Sequence, residues 1–199
     1  MKILIAVPTF ENIQPEVFKS IYDLDTSGHE TDFDFVKGYD VAMARSRIAK
    51  KAIECGYDYV MMVDSDTVIP KDALVNMLDP EADIVLGCCP RKNSKTRMSA
   101  LCTLKDNPTG TGYHVSLNYD ALQGEERIKL VVGGFACALI DTDVFRNMKY
   151  PYFRYLQYGN GSILSEDFYF CEQAGLSGYE VWADPRVKCG HLARYYQYE

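Results

Sequence analysis

No apolar run in this chain approaches the roughly 18 residues of a membrane span. The N-terminal stretch MKILIAVPTF stops being apolar at Pro8, and no small-residue cleavage site follows it. It reads as a first strand; no transmembrane segment is present, and a cytoplasmic location is expected. Basic residues are in deficit: 21 Lys and Arg stand against 28 Asp and Glu, a net charge of −7. That balance argues against broad electrostatic binding of nucleic acid, which needs a basic face. The local basic clusters are RSRIAKK at 45–51 and PRKNSKTR at 90–97. There is no CxxC. The seven cysteines (Cys55, Cys88, Cys89, Cys102, Cys137, Cys171 and Cys189) are odd in number, and several lie inside apolar runs. Reduced thiols packed in a core are expected rather than a disulfide framework. A zinc site built on Cys189, His191 and a distant cysteine lacks the paired ligand spacing such sites use. Internal repeats, low-complexity tracts and Ser/Gly linkers are also missing.

What is there is an alternation of strand-like and helix-like segments, in 199 residues, enough for one domain with a substantial core. KILIAVP (2–8) is almost wholly apolar, as a parallel strand covered on both faces would be. PEVFKSIYDL (15–24) predicts a short helix with Pro15 in its first turn, and FDFVKG (33–38) a second strand. From Val41 to Cys55 the apolar residues fall at helical spacing, and Gly56 is a natural stop. YDYVMMVD (57–64) predicts the third strand, PKDALVNML (70–78) a helix, and DIVLGCC (83–89) a fourth strand. Beyond these, SALCTL (99–104) and IKLVVGG (128–134) read as strands, CALID (137–141) as a strand, and TDVFRNM (142–148) as a helix. SEDFYFCEQAG (165–175) reads as a helix with Ser165 as N-cap and Gly175 as stop. YEVWAD (179–184) and VKCGHL (187–192) read as two short strands. Alternating βα units predict an open, mostly parallel sheet, whose ligands bind beyond the carboxyl ends of the strands.

Asp64 and Asp66 sit at such an end. Like charges this close repel, and burying them is costly unless they are neutralised. Two readings stand: a solvated turn, or a pair held by a hard divalent cation such as Mg²⁺ or Mn²⁺. Glu166 and Asp167 form a second acidic pair. Acidic residues are favoured in a helix's first turn by the free N–H groups and the dipole, and a carboxylate beside a reacting hydroxyl is also a general base. His191, in KCGHL, is ordinarily a structural residue, yet a neutral imidazole also suits Mn²⁺ beside Asp66. The run YPYFRYLQYGNG (150–161) reads as a packed loop in preference to an aromatic platform for a sugar ring or a nucleic-acid base.

Taken in order, VPTF, ARSRIAKKA, MMVDSDTVIP, VVGGFACALID, SEDFYFCEQAGLSGYEVWADP and KCGHL form a series that resembles the GT-A-fold glycosyltransferases, family 2-like enzymes above all, over nearly the whole chain. The resemblance implies an α/β, three-layer fold with a mostly parallel central sheet flanked by helices. It implies a single catalytic domain over 1–199, with a nucleotide-binding half at about 1–90 and an acceptor and catalytic half at about 91–199. It implies that Pro8, Thr9, Arg45, Asp64, Ser65, Gly133 and Gly134 bind a nucleoside-diphosphate sugar, most readily UDP- or GDP-linked. Asp66 and His191, with Asp64, would hold Mn²⁺ or Mg²⁺, and the ion would assist the departing nucleoside diphosphate. Asp167 would take the acceptor's proton, supported by Glu166, in an inverting transfer. The acceptor would be a glycan, a lipid-linked sugar, a protein or a modified nucleic-acid base. Family members often carry ARN in the helix before the D-x-D strand; here Arg45 matches and Ser46 stands at the asparagine position. The long C-terminal extensions of the family are not expected here; the tail RYYQYE (194–199) reads as a stub of an acceptor-side flap or as a partner contact, and the PRKNSKTR loop (90–97) as a reach to the diphosphate or acceptor or, equally, as a solvated loop.

Two other enzyme classes fit less well. Phosphoryl transfer of the haloacid-dehalogenase kind wants D-x-D-x-T, and Val68 holds the threonine position. A sugar nucleotidyltransferase needs a glycine-rich loop after the first strand, and VPTFENIQPE contains no glycine. The non-enzyme alternative is a catalytically degenerate GT-A domain that binds nucleotide or glycan, or acts as a scaffold.

Overall fold

The structure, a computed structural model, describes residues 1–92, 95–105 and 113–192. The tail RYYQYE and part of the PRKNSKTR loop lie outside the described residues. The elements run β1 (Lys2–Thr9), α1 (Pro15–Tyr22), β2 (Glu30–Lys37), α2 (Val41–Glu54), β3 (Tyr59–Val63), β4 (Thr67–Val68), α3 (Ala73–Met77), β5 (Ile84–Cys88), β6 (Met98–Lys105), β7 (Tyr113–Asn118), β8 (Ile128–Leu130), β9 (Cys137–Asp141), α4 (Thr142–Asn147), β10 (Leu156–Gln157), β11 (Ile163–Leu164), α5 (Glu166–Leu176), β12 (Val181–Lys188) and β13 (Gly190–His191).

Seven strands form the central sheet in the order β2-β1-β3-β9-β5-β12-β8. Strands β2, β1, β3, β5 and β12 run parallel, while β9 lies antiparallel between β3 and β5, and β8 is antiparallel to β12. The near-continuous apolar runs follow from burial on both faces. Successive side chains of β1 alternate between two cores: Leu4 and Ala6 pack with α2, α4 and α5, and Ile3, Ile5 and Val7 pack with α1 and α3. The result is three layers, helix–sheet–helix. Truncating a fully buried residue such as Leu4 to Ala would cost roughly 2–5 kcal/mol.

Helix α2 begins where the Asp40 side chain accepts the Met43 N–H at 3.1 Å, and it ends before Gly56, whose φ of +69° suits a left-handed cap. All seven cysteines are free, and all but Cys55 are buried.

Four sequence expectations need correction. IKLVVGG is a strand only as far as Leu130, because Val131 and Val132 leave the sheet to exchange backbone hydrogen bonds with Cys102 of β6. YEVWAD and VKCGHL are not separate strands: β12 runs through both as far as Lys188, with an irregularity between Asp184 and Lys188 that absorbs Pro185. Helix α5 passes Gly175 and ends at Leu176, with Gly178, φ +91°, just past the Ser177 cap. Ser165 stands at the N-cap position of α5 but makes no side-chain cap; its hydroxyl donates to Asp167 Oδ1 instead.

Candidate active site

The end of β3 turns sharply, with Thr67 N–H donating to the Asp64 carbonyl at 3.0 Å. The next two residues form β4, which pairs antiparallel with β13 so that His191 lies opposite Thr67. Leu192 N–H then donates to the Asp66 carbonyl at 2.9 Å. This short ribbon brings His191 beside Asp66: its Nε2 is 3.5 Å from Asp66 Oδ1. The other ring nitrogen, Nδ1, is 2.8 Å from the Pro90 carbonyl. A carbonyl only accepts, so Nδ1 carries the hydrogen and Nε2 is directed at Asp66. Burial alone would lower the His191 pKa, but the hydrogen bonds to Asp66, Cys89 and Pro90 outweigh it and raise it to about 10. Burial would likewise raise Asp66, but hydrogen bonds from His191 and Lys92 hold it at about 2.

The two motif aspartates have different partners. Asp66 Oδ2 accepts from the Lys92 ammonium. Asp64 Oδ1 accepts from Arg45 Nη2 at 2.7 Å, and Asp64 N–H is tied to the Ala136 carbonyl at 2.9 Å. Arg45 projects from α2 into the interior and is 2% exposed. Its Nη1 donates to Glu166 Oε1 at 2.5 Å and its Nη2 also to the Phe135 carbonyl at 3.2 Å, while Nε, buried, has no partner among the described residues. One guanidinium thus joins the D-x-D turn to the first residue of α5. Burial pushes the Asp64 and Glu166 carboxyls above their ordinary values against the pull of Arg45. Burial would lower Arg45 itself, but the charges of Asp64 and Glu166 outweigh it and raise its pKa. Glu166 is therefore a buried ion-pair partner rather than a solvated helix-capping acid. Tyr155 stands beside it, and burial together with the Glu166 charge pushes the phenol up to about 12.

Asp167, next in the chain, lines a cavity of about 300 Å³ together with Asp64, Asp66, Gly134, Lys92 and His191. Its Oδ1 accepts from the Ser165 hydroxyl and, at 2.8 Å, from Phe168 N–H. Its Oδ2 lies on the side of Gly134, 3.4 Å from where a Cβ on that glycine would stand. A second cavity, of about 240 Å³, is lined by Pro8, Thr9, Phe10, Tyr39, Ser65 and, again, Asp64 and Asp66. The D-x-D turn is the wall the two cavities share.

Of the candidate residues, Pro8, Thr9, Ser65, Asp64, Asp66, Gly134, Asp167 and His191 thus line one connected region. Arg45 and Glu166, both buried, lie behind it. Gly133 points into the core: a Cβ there would lie 2.4 Å from Leu86 Cδ1. In YPYFRYLQYGNG, Tyr152 and Phe153 are buried, with Phe153 stacked on Phe170 at 4.6 Å, whereas Tyr150, Tyr155 and Tyr158 are exposed. Sequence reasoning did not single out Lys92 or the Pro90 carbonyl; the basic run that begins at Arg91 was the only signal for Lys92.

Among the described residues, no three His, Cys, Asp or Glu side chains converge as a metal cage. Asp66 and His191 nevertheless fit a divalent cation that displaces the His191 Nε2 proton: one carboxylate, one imidazole oriented through Nδ1 by a backbone carbonyl, and a Lys92 cation already standing on Asp66. Mg²⁺ and its relatives are commonly held by one or two carboxylates, with substrate phosphates completing the shell.

No protein-family model matches the sequence, and no match is found among characterised proteins. Solved structures do match. The crystal structure of A197 from STIV aligns with a TM-score of 0.62 at 16% identity, over 98% of this chain and 87% of that one. GalNAc-T7 in its crystal structure with UDP, GalNAc and Mn²⁺ aligns with a TM-score of 0.64 at 11% identity, over 98% of this chain and 45% of the other. TarS 1–349 of S. aureus aligns with a TM-score of 0.52 at 14% identity, over 94% and 60%. The chain therefore spans under half of the GalNAc-T7 chain and three-fifths of the TarS chain. No helix among the described residues is long and apolar enough to cross a membrane. The central, mostly parallel seven-stranded sheet with helices on both faces has the architecture of the GT-A glycosyltransferase fold.

Proposed function

We propose that this chain is a metal-dependent glycosyltransferase. It would move a sugar from a nucleoside-diphosphate sugar, UDP- or GDP-linked, to an acceptor hydroxyl with inversion. The observation that carries this reading is the shared wall: Asp64 and Asp66 line both a cavity floored by Pro8, Thr9 and Ser65 and one containing Asp167 and Gly134. The nucleotide occupies the first cavity and the sugar the second, and the diphosphate crosses the D-x-D turn. The UDP, GalNAc and Mn²⁺ in the GalNAc-T7 structure support the same reading.

Asp167 is the base. Ser165 and Phe168 N–H hold its Oδ1, which fixes the carboxylate and leaves Oδ2 on the side of Gly134. The acceptor's proton passes to Oδ2. The acceptor oxygen bonds to the anomeric carbon, and the bond from that carbon to the diphosphate oxygen breaks, its electron pair leaving with the diphosphate. Glu166 and Asp64, fixed by Arg45, keep α5 and the D-x-D turn in mutual register. Asp66 and His191 would hold a divalent ion, which would supply positive charge against the departing diphosphate.

A second reading, a degenerate domain that binds nucleotide without turnover, is favoured by one observation: Lys92 stands on Asp66. A single pair of experiments separates the two. Thermal-shift titrations with UDP-, GDP-, CMP- and dTDP-linked sugars, with and without Mn²⁺, detect native-state binding, and release of nucleotide in the presence of acceptors detects turnover. A Mn²⁺-dependent shift with turnover supports the enzyme, a shift without turnover supports the degenerate domain, and no shift with any donor overturns both.

A further inference from the structure

We propose that Lys92 is a placeholder counter-ion. Its ammonium occupies the cation position on Asp66 until a divalent ion arrives, and then transfers to the donor's diphosphate. This rests on the metal-dependent reading above and adds to it a residue that links metal binding to donor binding.

Asp66 has two carboxylate oxygens and a nitrogen neighbour at each. Oδ1 faces His191 Nε2, and Oδ2 accepts from Lys92 Nζ. With Asp64 and Asp167 lining the same cavity, an Asp66 without a partner would add a third carboxylate to a confined space. Lys92 relieves that repulsion at a place where a divalent ion would relieve it better.

The geometry allows departure. The Asp66 side chain is 15% exposed, but that of Lys92 is 38% exposed, so the ammonium can leave without opening the core. The backbone leading up to it is pinned. The Pro90 carbonyl holds His191, Arg91 N–H donates to the Met98 carbonyl at 2.8 Å, and Cys189 N–H to the Cys88 carbonyl at 2.8 Å. The flexible four-carbon stem of Lys92 carries a compact charge suited to phosphate. Lys92 lines the same cavity as Asp66 and Gly134, so a diphosphate crossing the D-x-D turn lies within its sweep.

Two cations on one carboxylate repel each other. A metal ion arriving alone must therefore displace Lys92 and leave it without a partner; arriving with a diphosphate, it supplies the lysine with a new one. Lys92 thereby weakens binding of the bare ion and strengthens binding of the ion together with donor.

The test is calorimetric titration of Mn²⁺ alone, then of UDP and of GDP in saturating Mn²⁺, into wild type, Lys92→Met and Lys92→Arg, with urea midpoints confirming that the variants fold. Lys92→Met is expected to bind Mn²⁺ alone about tenfold more tightly than wild type, and the preferred nucleotide about tenfold more weakly. Lys92→Arg, which keeps the charge, should follow wild type in the first titration. Mn²⁺ bound equally by wild type and Lys92→Met overturns the placeholder and leaves the metal-dependent reading standing. No Mn²⁺ binding by any of the three, with or without nucleotide, overturns both.

Discussion

Arg45 Nη1 and Glu166 Oε1 lie 2.5 Å apart across 121 residues of sequence, and the same guanidinium holds Asp64 at 2.7 Å. The contact joins the strand end that carries the D-x-D turn to the helix start that carries Asp167. Its loss should therefore be felt at both.

Arg45→Met leaves the buried Glu166 and the cavity-lining Asp64 without their cation. Breaking a buried pair in this way costs about 3–5 kcal/mol, and the urea midpoint should fall accordingly. Arg45→Lys keeps the charge but cannot span both carboxylates, so a smaller loss is expected. If Arg45→Met unfolded at the wild-type midpoint, the guanidinium would not be organising the site.

Asp66→Ala should abolish any Mn²⁺-dependent rise in melting temperature with a nucleotide sugar. Asp167→Asn should retain that rise while lowering turnover by roughly 10²–10⁴-fold, the usual contribution of a general base. Near-normal turnover in Asp167→Asn would assign the base elsewhere.

The two adjacent glycines should fail differently. At Gly133 a methyl would lie 2.4 Å from Leu86 Cδ1, and Leu86 is fully buried, so Gly133→Ala should lose about 1–3 kcal/mol by overpacking. At Gly134 the methyl would meet the Ala100 Cβ at 2.8 Å and narrow the approach to Asp167. Ala100 has no rotamer to yield, so Gly134→Ala should cut turnover more than its stability loss explains. Denaturation and transfer assays on the two variants decide this.

Asp184 tests the electrostatics away from the site. It is fully buried, and it accepts from Arg186 N–H at 3.0 Å, Arg186 Nε at 2.9 Å and Arg127 Nε at 3.2 Å. Burial would raise its pKa, but the Arg186 and Arg127 hydrogen bonds outweigh it and bring it below the usual 3.8. A carboxyl lowered on folding stabilises fully above its unfolded pKa and loses that contribution as pH falls through the folded one. Asp184→Asn should therefore cost about 3 kcal/mol at pH 7, and the gap from wild type should narrow once the pH drops below 3.8. Urea midpoints at pH 7 and pH 3 measure it; an unchanging gap would sink the argument.

The parts of the fold that were legible are those with a one-dimensional cause. YVMMV reads as a buried strand because both its faces are covered, and α2 because the apolar spacing and Gly56 agree. The direction of a strand leaves no such mark. CALID reads as an apolar run, and nothing in it says that β9 lies antiparallel between β3 and β5. At the site, Asp64, Asp66, Asp167 and His191 were legible as residue types next to strand ends or helix starts. The burial of Arg45 was not, because an arginine on an amphipathic helix ordinarily points to water and its two partners lie 19 and 121 residues away. Lys92 was hidden in a basic run of equivalent-looking residues.

The reversal of β9 carries a practical consequence. A strand running backwards delivers the loop before it, Gly133–Ala136, to the rim where β1 and β3 deliver the loops after them. The opposite rim receives Met1, whose carbonyl is bonded by Glu30 N–H, together with the turns at Gly56–Asp58 and Asp79–Asp83. An affinity handle, a fluorophore or a surface tether joined ahead of Met1 therefore projects away from the candidate-site rim, whereas Leu192, hydrogen-bonded to Asp66, sits at its edge.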